Sequence, residues 1–279
     1  MANLAPVSLR RGLAPIALGA GLALALGGCK FSWPTFGESH GASVQGHDVA
    51  KLYSGMFITG LFVAALVWAL IFWCVIRYRR RRDNDGIPRQ FQEHIPLEIT
   101  YTILPLVIVI VIFVFTVLTE NNVDAINHPP TATVNVLAYQ WGWDFQYSNA
   151  NGLTLRTQGA PHSALPPPTG YTSNVYPQLV LPEGRTTKII LKSADVVHDF
   201  YVHAFNFDRF AQPGVTNVFE ITPTQNGVYP AQCSEYCGLY HSEMLFSVRV
   251  IPYKQYESWL HYYENHQGQI PKHYPLTQQ

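Results

Sequence analysis

The run "GMFITGLFVAALVWALIFWCVI" (residues 55–76) carries no charged side chain and is followed at once by "RYRRRR" (77–82). A helix of this length crosses about 30 Å of hydrocarbon. A second apolar run, "TILPLVIVIVIFVFTVL" (102–118), is long enough to span once the preceding "LEITY" is included. The sequence therefore predicts membrane helices at 55–76 and 97–118, joined by a loop at 77–96.

The loop between the two predicted helices is rich in arginine, and short loops of this kind stay in the cytoplasm. Both ends of the hairpin, and everything after about residue 119, are then extracytoplasmic. The arginines are Arg77, Arg79, Arg80, Arg81, Arg82 and Arg89. Because topology explains them, and because the chain has no net charge and only 13% charged residues, we predict a membrane lipid environment and no nucleic-acid partner.

The first 29 residues have the features of an export signal. Arg10 and Arg11 precede the apolar stretch "GLAPIALGAGLALALGG", which ends at Cys29. "LGGC" resembles the bacterial lipoprotein box, in which the cysteine is acylated and becomes the mature N-terminus. We predict a signal peptide at 1–28, lipidation of Cys29 and an extracytoplasmic segment at 29–54. An ordinary signal peptide and an uncleaved anchor are the alternatives.

Beyond the membrane helices the pattern becomes alternating and rich in turns. Five stretches are typical of strands: 133–147, 174–182, 186–194, 215–222 and 244–251. A long Pro-, Gly- and Ser-rich stretch lies between the first two, and its His162 is predicted to be exposed. Several short strands with such turns favour a β-sandwich of about 120 residues, followed by an amphipathic helix at 253–266.

"CSEYCGLYHSEM" (233–244) concentrates soft metal donors in one loop. They are Cys233, Cys237, His241 and Met244. A disulfide between the two cysteines is possible in an exported protein, and zinc accepts thiolates and imidazoles. Copper fits best, because single-copper electron-transfer sites use two His, one Cys and a weak axial Met. The extra cysteine allows two thiolates to bridge two coppers.

The second histidine of such a site is expected from "SADVVHDFYVHAF" (193–205). His198 directly follows a predicted strand and is the preferred ligand, with His203 as the alternative. Glu98 is a separate candidate at the cytoplasmic end of the second predicted helix. Acids at membrane segments often mark ion or proton routes, although an interfacial residue exposed to water is the simpler reading.

The combination C-S-E-x-C-G-x-x-H-x-x-M with S-A-D-V-x-H-x-F upstream resembles the dinuclear copper site of the cytochrome c oxidase subunit II family. The two-span hairpin, "EITYTILP" (98–105) and "QWGW" (140–143) resemble that family too. The resemblance covers roughly residues 45–255. It implies an all-β cupredoxin-like sandwich at 119–252 after the hairpin, with a C-terminal helix and tail at 253–279.

The resemblance also implies roles for individual residues. The copper A ligands would be His198, Cys233, Cys237, His241 and Met244, with the Glu235 backbone carbonyl as a weak ligand. His198 and Met244 would serve one copper, and His241 and the carbonyl the other. The Glu235 side chain would reach a magnesium ion, Trp141 would receive electrons first, and Glu98 would lie at the mouth of a proton channel.

The implied activity is that of the electron-accepting subunit of a terminal oxidase in a bacterial cell membrane. Electrons would pass from cytochrome c, soluble, tethered or within a supercomplex, through the coppers to haem in subunit I, with subunit III as a further partner. The sequence contains no haem or oxygen site of its own. A quinol oxidase subunit and an exported copper-delivery lipoprotein are the alternatives.

Two positions depart from the family pattern. Many members carry aspartate three residues before Pro213 and arginine after Gly214, whereas this chain has Phe210 and Val215. Contacts around the magnesium and the haem propionates are therefore expected to differ. Candidate acids for docking the electron donor are Asp144, Asp195, Asp199 and Glu243.

Overall fold

The computed structural model describes residues 35–79, 86, 90–148, 154–158 and 176–265. The predicted signal peptide 1–28, Cys29, His162 and most of the arginine-rich loop lie outside these residues. The chain divides into a short N-terminal unit, Met1–Glu38, and a main unit, Ser39–Gln279. All features described below belong to the main unit.

Two long helices form the predicted hairpin. Helix α1 spans Val44–Arg77 and helix α2 spans Ile95–Val123. Among the described residues these two are long and apolar enough to cross a membrane, and no residue in the most apolar window of each is buried within the chain. Helix α1 starts at Val44 rather than at residue 55, and α2 continues past residue 118, so both helices extend beyond their predicted outer ends.

Side chains at the helix starts explain where the helices begin. The Ser43 hydroxyl accepts a hydrogen bond from the Gly46 N–H (3.0 Å), and the His94 ring nitrogen accepts one from the Leu97 N–H (3.2 Å). Such caps satisfy backbone donors that have no partner within the helix. The helix boundaries are therefore set by polar residues that flank the apolar runs.

Within the described residues, ten strands form two five-stranded sheets packed as a sandwich, with the orders β3-β2-β1-β5-β8 and β4-β10-β9-β6-β7. The β1/β5 and β4/β10 pairs are parallel, and the other pairs are antiparallel. This confirms a hairpin of apolar helices followed by a β-sandwich. The strands are β1 Ala132–Tyr139, β2 Gly142–Ser148, β3 Thr154–Gln158, β4 Gln178–Pro182, β5 Thr187–Ser193, β6 His198–Val202, β7 Phe207–Ala211, β8 Asn217–Ile221, β9 Gly227–Cys233 and β10 Leu245–Ile251.

Two details of the predicted strand pattern are wrong. The stretch 133–147 is a hairpin of two strands, because the chain turns between Tyr139 and Gly142. His198 is the first residue of strand β6, and residues 194–197 separate it from the preceding strand β5. Strands β3, β6, β7 and β9 were not predicted, since their short segments lack a clear apolar alternation.

An aromatic core holds the two sheets together. Trp143 of β2 packs on Phe246 of β10 (ring centroids 4.9 Å apart), and Phe246 packs on Phe200 of β6 at the same distance. All three side chains are fully buried, and burial of such rings dominates core energetics. Helix α3, Tyr253–Asn265, covers one side, where Trp259 packs on Tyr147. The predicted C-terminal helix is present.

The outer end of α1 is fastened to the sandwich. The Ala42 N–H donates to the Ala204 carbonyl (2.7 Å), and the Val44 N–H donates to the Thr222 carbonyl (2.9 Å). A Cβ on Gly46 would lie 2.1 Å from the Phe205 carbonyl oxygen, so only glycine permits this approach. The segment before the apolar run is thus a structural connection between the hairpin and the sandwich.

Candidate metal centre

The loop between β9 and β10 brings four predicted donors together. The Cys233 and Cys237 sulfurs are 3.9 Å apart. The His241 Nδ1 lies 3.5 Å and the Met244 Sδ 3.7 Å from the Cys237 sulfur. The Glu235 carbonyl oxygen lies 3.3 Å from the Cys233 sulfur. The three other predicted loop ligands, His241, Met244 and the Glu235 carbonyl, therefore lie next to the pair of sulfurs.

The fifth side-chain donor, His198, comes from the neighbouring strand β6. It is fully buried, and its Nδ1 lies 3.9 Å from the Cys233 sulfur. Among the described residues, His198, Cys233 and Cys237 form a group whose donor atoms lie within 4.8 Å of one another. His203 is not in this group; its Nδ1 lies 2.8 Å from the Tyr201 hydroxyl.

Asp195 fixes the orientation of His198. Its Oδ1 lies 2.8 Å from His198 Nε2, and its Oδ2 accepts the Gln140 N–H (2.6 Å). Burial opposes ionisation of Asp195, but hydrogen bonds from His198, Gln140 and Val196 lower its pKa below the usual value. A carboxylate on one ring nitrogen leaves the other nitrogen free for a metal. Sequence reasoning assigned Asp195 only to docking and missed this contact.

The two thiols are held in an environment that disfavours their ionisation without a metal. Burial raises the pKa of Cys233. Burial, followed by the charge of the neighbouring Cys233, raises the pKa of Cys237 to about 12. The two are free thiols, and their separation is far beyond the roughly 2.05 Å of a disulfide bond. A metal cation would stabilise both thiolates, since metals bind deprotonated cysteine.

Trp141 contacts the metal loop directly. Its indole N–H donates to the Cys237 carbonyl (3.1 Å), and the Gln140 side-chain amide donates to the same oxygen (2.8 Å). The Trp141 ring packs edge-on against Tyr240, with centroids 5.0 Å apart. Gly238 has φ +117°, and a Cβ there would lie 3.2 Å from Trp141 Cζ2. A side chain at position 238 would therefore crowd this contact.

The four acids predicted as docking candidates divide into two groups. Asp144 and Asp199 are buried, so their prediction as docking acids is wrong. Asp195 and Glu243 are partly exposed, and Asp195 is already engaged with His198. Exposure depends on how the loops fold over the strand ends, which the sequence does not show.

The two positions that depart from the family pattern are both exposed. Phe210 is 46% and Val215 50% exposed. In the antiparallel β6/β7 pair, Phe210 lies directly opposite Asp199. Position 210 has no acid in this chain, but the residue directly opposite it on β6 is the acid Asp199.

Glu98 lies in the first turn of α2. Its carboxylate accepts the His94 N–H (2.9 Å), while the His94 ring caps the Leu97 N–H. This reciprocal arrangement resembles a capping box, with the acid one position later than usual. Glu98 therefore has a structural contact at the start of α2, whatever its part in proton transfer.

The donor set matches copper better than zinc. Two thiolates, two imidazoles, one thioether and one carbonyl exceed the four ligands of a structural zinc ion. Soft thiolate and thioether sulfurs select copper. The residues that the loop and β6 bring together therefore fit a copper centre.

Comparison with known proteins identifies the family. Residues 32–118 match the family described as cytochrome c oxidase subunit II, transmembrane domain, and residues 132–251 match the periplasmic domain of the same subunit. A probable cytochrome c oxidase subunit 2 of Streptomyces coelicolor is 35% identical, covering 88% of this chain and 84% of the relative. The cytochrome c oxidase subunit 2 of Mycobacterium tuberculosis is 31% identical, covering 90% and 82%.

Among solved structures, the periplasmic domain of subunit II of cytochrome oxidase from Bradyrhizobium japonicum has a TM-score of 0.42 and 26% identity. It covers 50% of this chain and 97% of that domain.

The chain belongs to the cytochrome c oxidase subunit II family. It is a membrane protein with a periplasmic domain, and it is part of an oxidoreductase complex that carries a copper centre. The quinol oxidase and copper-delivery alternatives are not favoured, because both family domains match along the chain.

Proposed function

We propose that this chain is the subunit through which electrons from cytochrome c reach a cytochrome c oxidase. The observation that carries the proposal is the contact between Trp141 and the metal loop. The partly exposed indole of Trp141 donates a hydrogen bond to the carbonyl of Cys237. The same cysteine offers its sulfur to the donor cluster. Cys237 therefore links the Trp141 ring to the sulfur atoms of the donor cluster.

The residues that would hold two copper ions are Cys233 and Cys237, through their sulfurs, together with His198, His241, Met244 and the Glu235 carbonyl. Two coppers bound there would supply a centre that accepts and releases one electron at a time. The chain's own part is to hold the donors in place. The aromatic core below the loop and the Asp195 contact to His198 restrict their movement, and burial excludes water.

Trp141 is proposed to receive the electron first. Its ring is partly exposed, and its indole N–H, the Cys237 carbonyl and the Cys237 side chain form a short covalent and hydrogen-bonded route. Tyr236, Leu239 and Tyr240 are exposed apolar side chains on the same loop. They give a donor protein a surface to pack against close to Trp141.

The electron is proposed to continue to haem in subunit I, where oxygen is reduced to water and protons are translocated; subunit III completes the set of partners. The Glu235 side chain is proposed to bind magnesium at the border with subunit I. Glu98 is proposed to lie at the mouth of a proton channel. The arginine-rich loop would face the cytoplasm, with the sandwich on the opposite side of the cell membrane and an acylated Cys29 as an additional lipid anchor.

The experiment that tests the proposal replaces Trp141 by phenylalanine in the assembled oxidase. Turnover with reduced cytochrome c should fall about tenfold or more, about 1.4 kcal/mol in the barrier, while the copper content stays normal. Trp68→Phe is the control, because Trp68 is an exposed residue of α1. Normal turnover in Trp141→Phe, with copper unchanged, would contradict the proposed route.

Glu98 is tested separately. Glu98→Gln keeps an oxygen that can accept the His94 N–H but removes the charge. If Glu98 serves a proton route, proton translocation should fall while copper content and helix stability are unchanged. A normal ratio of protons to electrons would leave the capping contact as its established role.

A further inference from the structure

A buried tryptophan from the opposite sheet contacts the proposed copper ligands. Trp143 lies on β2, whereas His198 and the β9–β10 loop come from the other sheet. The Trp143 side chain is fully buried, and it packs on Phe200 (ring centroids 5.9 Å apart) and on Phe246. Core packing explains a large ring at this position, but it does not require the polar N–H of an indole.

The indole N–H of Trp143 is directed to the backbone of a proposed ligand. It donates to the Met244 carbonyl, with 3.4 Å between nitrogen and oxygen. The same oxygen accepts the Cys233 N–H at 3.0 Å. The Met244 carbonyl is therefore the point where the end of β9, the residue before β10 and Trp143 meet. Because Met244 is 1% exposed, a shift of its backbone would also move its enclosed side chain.

The Trp143 ring also contacts the ring of His198. The two centroids are 6.5 Å apart and the ring planes are inclined by 60°, which is within the range of edge-to-face aromatic pairs. His198 is thus held by Asp195 at Nε2 and by Trp143 within the core. The two donors that Trp143 contacts, His198 and Met244, are the pair that the family resemblance assigns to one copper.

We propose that Trp143 is a positioning residue for the His198 and Met244 half of the copper centre, acting chiefly through the Met244 carbonyl. The inference deepens the proposed ligand set and rests on it. A weak axial donor tunes the potential of a copper site, so a residue that fixes the Met244 backbone should influence that potential. Trp141 contacts the Cys237 carbonyl instead. The two tryptophans therefore have separate roles, electron entry for Trp141 and ligand placement for Trp143.

The test replaces Trp143 by phenylalanine in the full-length, copper-loaded chain in detergent. Phenylalanine keeps an aromatic ring but cannot donate to Met244. All the donors remain, so two coppers should still bind. The redox equilibrium against a reference couple should shift about three- to tenfold, the scale of one net hydrogen bond. The electron paramagnetic resonance signal should show a less even spread of the electron over the two coppers.

Trp259→Phe is the matched control. Trp259 is also a buried tryptophan, but it packs on Tyr147 under helix α3. Its replacement should lower the unfolding temperature without changing the redox equilibrium or the copper signal. Thermal unfolding of both variants separates a loss of core packing from an effect on the ligands.

A double variant shows whether Trp143 acts through Met244. Met244→Leu removes the thioether but keeps the carbonyl. On that background Trp143→Phe should shift the redox equilibrium by about twofold or less, because coupled residues are not additive. An undiminished shift would show that Trp143 does not act through Met244, and the inference would be wrong.

The results for the wild type and for Trp143→Phe separate the two claims. If the wild type binds two coppers and Trp143→Phe has the same redox equilibrium and spectrum, the inference is wrong and the ligand assignment stands. If the wild type does not bind two coppers, the ligand assignment fails and the inference fails with it.

A measurement on the wild type covers the case in which Trp143→Phe does not fold. The chain contains six tryptophans, whose indole N–H signals can be observed by nuclear magnetic resonance after isotope labelling and assigned from phenylalanine variants of the other five. The Trp143 signal should shift between the oxidised and reduced centre, whereas that of Trp259 should not. A Trp143 signal that is unchanged by the redox state would reject the contact with Met244.

Discussion

The sandwich and the hairpin differ in how far their apolar side chains are buried within the chain. In the sandwich, aromatic rings of both sheets are fully buried against one another. In the hairpin, no residue in the most apolar stretches of α1 and α2 is buried within the chain. The sandwich can therefore set its own geometry, whereas the hairpin requires lipid or another membrane subunit to cover it. This difference explains why every proposed copper ligand lies in the sandwich and its loop.

The largest effect should come from removing a shared sulfur. Cys237→Ser should abolish the two-copper centre, because Cys237 contacts Cys233, His241 and Met244. Cys74→Ser in the exposed hairpin is the matched control and should leave copper unchanged. The readout is copper per chain together with visible absorbance. Two coppers retained in Cys237→Ser would refute the ligand assignment.

Proton release during copper loading tests the environment that the sandwich gives its thiols. The pKa values of Cys233 and Cys237 are both raised, the latter to about 12, so both thiols are protonated in the metal-free chain at neutral pH. Copper binding should release about two protons per chain, and affinity should fall about tenfold per proton for each unit of lower pH. A pH electrode in weakly buffered solution measures the release. Loading without proton release would contradict the thiol assignment.

The next effect concerns the contact of Asp195 with the proposed ligand His198. Asp195→Ala removes the carboxylate that holds His198 Nε2, and copper affinity should fall about 10- to 100-fold. Asp208→Ala, another acid of the sandwich, should change it little. Competition with a chelator of known affinity gives the comparison. Equal affinities in the two variants would show that Asp195 does not orient His198.

The smallest effect tests the connection between the two regions. Gly46→Ala places a Cβ against the Phe205 carbonyl and should destabilise the chain by about 1–3 kcal/mol. Gly55→Ala in the same helix meets nothing within 4 Å and should be neutral or slightly stabilising. Thermal unfolding in detergent compares them. If the two variants melt alike, the outer end of α1 does not depend on its contact with the sandwich.

The hairpin and the clustering of the donor side chains in the loop could be predicted because their signals are local. Uncharged runs define membrane helices, and the spacing of Cys233, Cys237, His241 and Met244 is contained in twelve residues. The extension of α1 over 44–54 was missed because this segment is polar, and its stability comes from contacts with Ala204 and Thr222. Local patterns carry no information about such distant contacts.

The surroundings of the ligands could not be predicted for the same reason. Asp195 and Asp199 lie close to His198 in the sequence, yet one holds its ring and the other turns to Ser234. The strand order sets these contacts, because β6 lies next to β9. The turn before Gly142, which brings Trp141 to Cys237, was likewise hidden in an apparently continuous strand.

The central claim is that the donors from β6 and the β9–β10 loop hold two coppers that share one electron. The most direct measurement is an electron paramagnetic resonance spectrum, with copper counting, of the full-length chain after copper loading. The account predicts two coppers per chain and a multi-line signal from one electron spread over both nuclei. A single copper with the signal of an isolated ion, or no copper and a disulfide between Cys233 and Cys237, would contradict it.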